Sequence, residues 1–380
     1  MKDSFEKLKV LTILGTRPEI IRLARILPKL DEYFNHIAVY TQQSYDYELS
    51  KIFFEELELR NPDYLLNVKA DTLGGQIGNI LEQTEEVLIK EKPDAILVLG
   101  DTNSSLSAII AKRMGILVFH MEAGNRCFDF EVPEETNRVL VDVVADYNLP
   151  YTQRGKEYLI HSGVHPRTIF VTGSPLAEVY EFFKEKIASS PVLNRLNLKP
   201  NRYFVVSTHR EENVDNPQNL QELFESLNFV AEQYKLPIIV SLHPRTKKRL
   251  DSKIKIHSLI DLHKPFGILE YINLEQNSLC TISDSGTIQE ESSILGFNAI
   301  QIRVNLERPE AFDKGVIVLA GLNRNSIIEA IEMTVTEKEK GQQIVVPEDY
   351  KDTNVSSKVV KLIMSLTAIK KYHGKTPQGF

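Results

Sequence analysis

Apolar residues in this chain gather in short runs. Each run stops at a glycine, a proline or a charged residue and gives way to a stretch of helical spacing. Val10 to Leu14 is the first; it ends at Gly15, and Pro18 opens a helical pattern through Leu30. Ile37 to Thr41 is the next strand, and Tyr45 to Leu57 and Leu73 to Ile89 are helical by period. Ala95 to Leu99 and Ile116 to Phe119 are further apolar strands, as is Ile169 to Val171. There the alternation pauses. Thr172 to Pro175 opens a helix, and Ser189-Ser190-Pro191 with Leu198-Lys199-Pro200 reads as a connector. A second series follows at Tyr203 to Val206, Ile238 to Val240, Leu279 to Ile282, Ala299 to Ile302 and Val316 to Leu319. Leu220 to Tyr234 and Ser326 to Val335 are helices within it, and a last helix covers about Ser356 to Ile369. Strands apolar throughout, alternating with helices, predict parallel sheets covered on both faces. The fold class is therefore α/β, with two Rossmann-like, doubly wound parallel-sheet domains and a cleft between them.

Composition narrows the function classes. Of 380 residues, 42% are hydrophobic and 26% charged, as in ordinary globular proteins. A net charge of −7 argues against nucleic acid as a partner. The two cysteines, Cys127 and Cys280, suggest neither a disulfide framework nor a structural metal site. No apolar run approaches the roughly 20 residues a spanning helix needs, so no membrane partner is expected. Met1 to Lys9 is too charged for a signal peptide, and the expected location is cytoplasmic.

Open parallel sheets bind ligands at the carboxyl ends of their strands, and here six strand ends deliver polar residues. Gly15-Thr16-Arg17-Pro18-Glu19 follows the first strand, Asp101 the strand ending at Leu99, and Glu122 the one ending at Phe119. His209-Arg210 follows Val206, His243-Pro244-Arg245 follows Val240, and Arg303 with Glu307-Arg308 follows Ile302. Any one of these is as well read as a helix cap or a surface ion pair; the series is not. Asp284-Ser285-Gly286, between an apolar strand and a helical pattern, predicts a turn whose N–H groups attract an anion, with Glu290 and Glu291 close behind. Arg17, His209, Arg245 and Arg308 suit a diphosphate, since the Arg fork matches phosphate oxygens. Asp101, Glu122 and Glu134 form an acidic group in the N-terminal half, fit for proton exchange once desolvated or crowded. This division of charge fits a nucleotide sugar.

Other chemistries fit less well. His120-x-Glu122 lacks the Pro-Cys-x-x-Cys partner of a zinc deaminase. Walker A, Gly-x-Gly-x-x-Gly and Gly-x-Ser-x-Gly signatures are absent. Cys127 reads better as a packed thiol than as a nucleophile.

With these residues in place, the chain resembles the non-hydrolysing UDP-N-acetylglucosamine 2-epimerases over most of its length. The matching pieces are Gly15-Thr-Arg-Pro-Glu19, Gly100-Asp-Thr102, His120-Met-Glu-Ala-Gly124, Pro133-Glu-Glu135 with Asn137-Arg138, and His209-Arg210 with Glu212-Asn213. Asp284-Ser-Gly286, Ile288-Gln-Glu-Glu291 and Glu307-Arg-Pro-Glu310 complete them. The resemblance implies a GT-B-like fold with an N-terminal domain over 1–173 and a UDP-binding domain over 174–363. A C-terminal helix at about 364–380 would pack back on the first domain. It also implies a homodimer, a UDP-sugar substrate, and neither metal nor cofactor. The implied reaction removes the C2 proton while UDP leaves C1, giving a 2-acetamidoglycal; the glycal is then reprotonated on the opposite face as UDP re-adds. On this mapping Asp101, Glu122 and Glu134 are the acid/base candidates. Arg17, His209, Ser285 and Gly286 hold the diphosphate, with Arg308 as a further candidate, and Glu291 holds the ribose.

Some positions depart from the common pattern. Arg22 stands where a Lys is usual, Gln43-Ser44 where Gln-His is usual, and Glu211 where a second Arg is usual. The last two bear on an allosteric UDP-sugar site, which is therefore not expected. Arg22 remains a substrate-binding candidate. Asn125-Arg-Cys-Phe-Asp129, Tyr45-Asp-Tyr-Glu-Leu49 and Asp71-Thr-Leu-Gly-Gly-Gln76 are similar to a subgroup that makes UDP-N-acetyl-L-fucosamine from UDP-2-acetamido-2,6-dideoxy-L-talose for capsule or O-antigen. Cys127-Phe128 would supply an apolar wall for the 6-methyl group. The alternatives are UDP-GlcNAc/UDP-ManNAc interconversion, a GT-B glycosyltransferase, and a non-catalytic UDP-sugar sensor.

Overall fold

The computed structural model describes residues 7–42, 47–130, 132–242, 246, 249–250, 254–303 and 308–374. The chain divides into two compact units, residues 1–181 with 349–380, and residues 182–348.

In the first unit the predicted apolar runs form β1 (Lys9–Leu14), β2 (Asn35–Tyr40), β4 (Ala95–Leu99) and β5 (Leu117–Met121). Two short strands the hydrophobic pattern did not reveal, β3 (Tyr64–Leu65) and β6 (Tyr147–Leu149), complete a six-stranded parallel sheet of order β3-β2-β1-β4-β5-β6. Leu11, Ile13, Ile96, Val98 and Val118 pack on one face against Ile80, Val87 and Leu88 of the helix Leu73–Glu91 and Val141 of the helix Pro133–Val144. Full burial of such a side chain is worth roughly 1.5–3 kcal/mol. That is why β4, with no polar residue, sits at the sheet centre.

Two expectations change here. The pattern from Pro18 to Leu30 is two helices, Arg17–Leu23 and Ile26–Tyr33. Pro28 has no N–H and crowds the carbonyl four residues back, so it is accommodated by restarting the helix two residues before it. Ile169 to Val171 makes a single bridge, Asn148 to Ile169, because β6 ends at Leu149 before Pro150. The last helix, Val355–His373, packs against Ile26–Tyr33 within this unit.

The second unit repeats the topology. β7 (Phe204–Thr208), β8 (Ile238–Leu242), β9 (Ile260–His263), β10 (Cys280–Ser283), β11 (Ala299–Gln301) and β12 (Val318–Leu319) form a parallel sheet of order β12-β11-β10-β7-β8-β9. Counted from its own first strand this is again 3-2-1-4-5-6. Phe204, Val206, Val240 and Ile282 bury one face against Leu220, Leu223, Phe224 and Leu227 of the helix Pro217–Tyr234. In each unit the strand order reverses beside the first strand, between β1 and β4 and between β7 and β10. The turns leaving those four strands flank the crevice where such sheets bind ligands. They are the turns at Gly15, Gly100, His209 and Asp284. Among the described residues no helix is long and apolar enough to cross a membrane.

Candidate active site

The turn after β1 does not offer its amides to a ligand. Glu19 folds back over them: its Oε2 accepts from Gly15 N at 3.0 Å, Thr16 N at 2.7 Å and Thr16 Oγ1 at 2.8 Å. Its Oε1 accepts from Thr102 Oγ1 at 3.2 Å, next to Asp101. This is a capping box closed onto the neighbouring turn. Burial pushes the Glu19 carboxyl up to about 7, against the pull of those donors. Arg17 is half-buried, its guanidinium 5.6 Å from the centre of the Phe53 ring. Arg22 is buried, its Nε 3.3 Å from Glu122 Oε2 and its guanidinium over the Tyr151 ring at 5.3 Å. The residue expected to meet substrate thus meets a carboxylate of the acidic group.

That group is assembled by the helix Pro133–Val144, whose first turn carries Glu134 and Glu135 where the helix dipole favours acids. Arg138 donates through Nε to Asp101 Oδ2 at 2.6 Å and through Nη1 to Glu135 Oε2 at 2.9 Å. Asn137 Nδ2 donates to the Asp101 carbonyl at 2.9 Å. Burial, before anything else, raises the Asp101 carboxyl; Arg138 draws it down, and the charges of Glu122 and Glu134 push it up again. Glu122 is buried, accepts from Asn125 Nδ2 at 3.1 Å, and has a backbone φ of +61°, sparsely populated for a residue with a side chain. Glu135 also accepts the N–H groups of Cys127 and Phe128 and the Cys127 thiol at 3.3 Å. Burial raises that thiol, which suits a packed cysteine. Phe128 is 68% exposed and sits edge-on to Tyr158.

In the second unit Asp284 is wholly buried and gathers the end of β7. Oδ2 accepts from Thr208 Oγ1 at 2.8 Å and from His209 N, Arg210 N and Asn213 Nδ2, each at 3.1 Å. The His209 ring stands with Nδ1 3.4 Å from Asp284 Oδ1. After Asp284 the turn differs from a row of open donors. Ser285 N donates to Ser283 Oγ at 3.1 Å, and Thr287 N to Ser285 Oγ at 3.2 Å. Thr287 Oγ1 then donates to Glu291 Oε1 at 2.9 Å, and Gly286 lies between these anchored residues. Arg308 is 2.8 Å from the buried Glu290. Arg245, Glu307 and the Gln43-Ser44 pair lie outside the described residues.

Sequence reading missed Glu275 and, though it named the Gly15–Glu19 segment, gave Glu19 itself no role. Burial, Glu291 and a contact with Tyr271 act on Glu275, and the net effect drives its carboxyl well above the usual range. Glu19 had a signal in the Thr-x-x-Glu spacing after β1; Glu275 sits in the last turn of the helix Ile268–Asn277 and had none. Among the described residues no group of three or more His, Cys, Asp or Glu could hold a metal ion.

Twin Rossmann-like units of one topology, with polar residues at the reversal point of each sheet, define an α/β protein of the GT-B-like fold class. Similarity to known proteins narrows it. Residues 29–364 match the family model described as UDP-N-acetylglucosamine 2-epimerase, and the chain belongs to that family. It is 40% identical over 341 residues to the UDP-N-acetylglucosamine 2-epimerase of Methanocaldococcus jannaschii, covering 87% of this chain and 93% of the relative. It is 35% identical over 346 residues to the UDP-2,3-diacetamido-2,3-dideoxy-D-glucuronate 2-epimerase of Pseudomonas aeruginosa, covering 88% and 95%. A crystal structure of the M. jannaschii enzyme with UDP-GlcNAc and UDP superposes with a TM-score of 0.87 at 37% identity, over 94% of this chain and all of the other. The chain is an isomerase, a nucleotide-sugar 2-epimerase of the UDP-GlcNAc type.

Proposed function

We propose that the enzyme inverts C2 of a UDP-2-acetamido sugar by elimination and re-addition of UDP, without hydrolysis, and that Asp101, Glu122 and Glu134 handle the protons. The observation that carries this reading is geometric: Asp101 is held by Arg138 Nε at 2.6 Å, and buried Glu122 stands 3.3 Å from Arg22 Nε, so two carboxyls are fixed on cationic partners at neighbouring strand ends. A base removes the C2 proton as the C1–O bond breaks and its electron pair leaves with UDP. A proton then reaches C2 from the other face as a diphosphate oxygen re-forms the bond to C1. The C2 proton is weakly acidic, so stabilising charge on the departing diphosphate matters most. Arg17, His209, Ser285 and Gly286 serve there, with Arg245 and Arg308 in support. Glu291 takes the ribose hydroxyls, and Arg22 acts through its ion pair with Glu122.

The favoured substrate is UDP-2-acetamido-2,6-dideoxy-L-talose, giving UDP-N-acetyl-L-fucosamine for capsule or O-antigen synthesis by a cytoplasmic homodimer. Exposed Phe128 and Phe130, close in sequence to the acidic group, support an apolar contact to a 6-methyl. UDP-GlcNAc to UDP-ManNAc is the second reading, favoured by the name of the M. jannaschii relative. Incubating both sugars in deuterium oxide and following C2 by NMR tests the proposal. Deuterium at C2 with UDP still attached supports epimerisation. Free sugar, transfer to an acceptor, or no exchange with either sugar contradicts it.

A further inference from the structure

Close to Asp101 and Glu122 along the chain lies a second set of charges. His120, near the end of β5, is only 1% exposed. Its Nε2 lies 2.9 Å from the Gly100 carbonyl, which can only accept, so Nε2 carries a proton. Its Nδ1 lies 3.0 Å from Asp142 Oδ1. Asp142, equally buried on the helix Pro133–Val144, also accepts from Gly124 N at 3.2 and 3.3 Å and forms an ion pair with Arg126 Nη1 at 2.7 Å. Gly100 N in turn donates to the Met121 carbonyl at 2.9 Å. The residue before Asp101 is thus tied through both its polar groups to the strand that leads into Glu122.

Glu122 sits between these ties with φ +61°, followed by Gly124 at φ +77°. A Cβ at Gly124 would come within 2.2 Å of the Gly155 carbonyl oxygen, so the turn is packed against its surroundings. A glutamate holds a left-handed backbone only where its neighbours over-determine it. Here the Gly124 amide and Arg126 are both held by Asp142.

We propose that His120 and Asp142 are positioning residues that fix Asp101 and Glu122 relative to each other. The ring sets the Gly100–Asp101 turn through its bond to the Gly100 carbonyl, and the carboxylate sets the Glu122–Gly124 turn through the Gly124 amide and Arg126 while lying against the ring at ion-pair distance. The inference rests on the reading that Asp101 and Glu122 exchange the C2 protons. A displacement of about 1 Å in such groups costs on the order of 100-fold in rate.

The test uses the full chain, with whichever of UDP-2-acetamido-2,6-dideoxy-L-talose and UDP-N-acetylglucosamine the wild type turns over faster, and reads kcat, KM, C2 exchange in deuterium oxide and UDP affinity. His120→Phe and Asp142→Asn are expected to lower kcat about 10- to 100-fold, with KM and UDP affinity within about twofold. His120→Gln, whose amide N–H reaches towards the Gly100 carbonyl, recovers roughly tenfold over His120→Phe, whereas the shorter His120→Asn does not. If His120→Phe or Asp142→Asn fails to fold, the contrast between His120→Gln and His120→Asn decides. Equal kcat for Gln and Asn, or folded His120→Phe enzyme within twofold of wild type, overturns the proposal. Asp101→Asn and Glu122→Gln are measured in parallel. If those two keep wild-type turnover, the acid/base reading fails and this inference falls with it; if they lose turnover while His120→Phe does not, only this inference falls.

Discussion

Arg138 Nε stands 2.6 Å from Asp101 Oδ2, and the same guanidinium reaches Glu135 at 2.9 Å. One cation therefore serves a carboxyl proposed to move protons and a buried carboxylate that anchors the Cys127–Phe128 backbone. Burial raises Asp101 and Arg138 opposes it. Arg138→Gln is expected to raise the Asp101 carboxyl further. The limb of the kcat/KM–pH profile that reports loss of its proton then moves to higher pH, and turnover at neutral pH falls roughly tenfold. An unmoved limb in a folded Arg138→Gln enzyme contradicts the assignment of Asp101.

Glu19 predicts a pH-dependent stability. Its folded carboxyl lies at about 7, above the ordinary 4.5. A raised carboxyl contributes fully below the unfolded value, and that contribution is lost as pH rises through the folded one. Between pH 4.5 and 7 wild type is expected to lose on the order of 3 kcal/mol relative to Glu19→Gln, at 1.36 kcal/mol per unit. Urea unfolding of both proteins across that range checks it; parallel stability curves contradict it.

Asp284 gathers Thr208, two backbone amides and Asn213 on one oxygen. Asp284→Asn turns an acceptor-only group into one whose amide N–H faces other donors. It is expected to destabilise the protein by about 2–3 kcal/mol. It is also expected to weaken UDP at least tenfold, because His209 loses its anchor. Thermal unfolding and a UDP titration measure both; unchanged UDP affinity contradicts the role given to His209.

Much of this architecture was legible in the sequence because central strands must be apolar on both faces. β1, β4 and β7 announce themselves that way. β3, with two residues, and β6, with three, are too short to carry a period. The carboxylates at strand ends were legible because the chain's polarity changes abruptly there. Their wiring was not. Asp142 lies 22 residues beyond His120 and reads as an ordinary helical acid. Only the folded chain brings it to within 3.0 Å of the ring.

The proposed preference for a 6-deoxy sugar rests on the segment anchored by Glu135, where Phe128 is largely exposed and Cys127 half-buried. Cys127→Ser with Phe128→Ala is expected to lower the kcat/KM ratio of 6-deoxy over 6-hydroxy substrate roughly tenfold, the scale of one methyl contact. A ratio that stays constant removes the apolar wall.

In the proposed reaction the C1–O bond to UDP breaks every time C2 inverts. Substrate carrying oxygen-18 in the bridge between C1 and the β-phosphorus tests it most directly, by phosphorus-31 NMR. The label is predicted to spread into the non-bridging β-phosphate positions, at a rate at least comparable with deuterium entry at C2. Inversion with deuterium entering while the label stays in the bridge would contradict it.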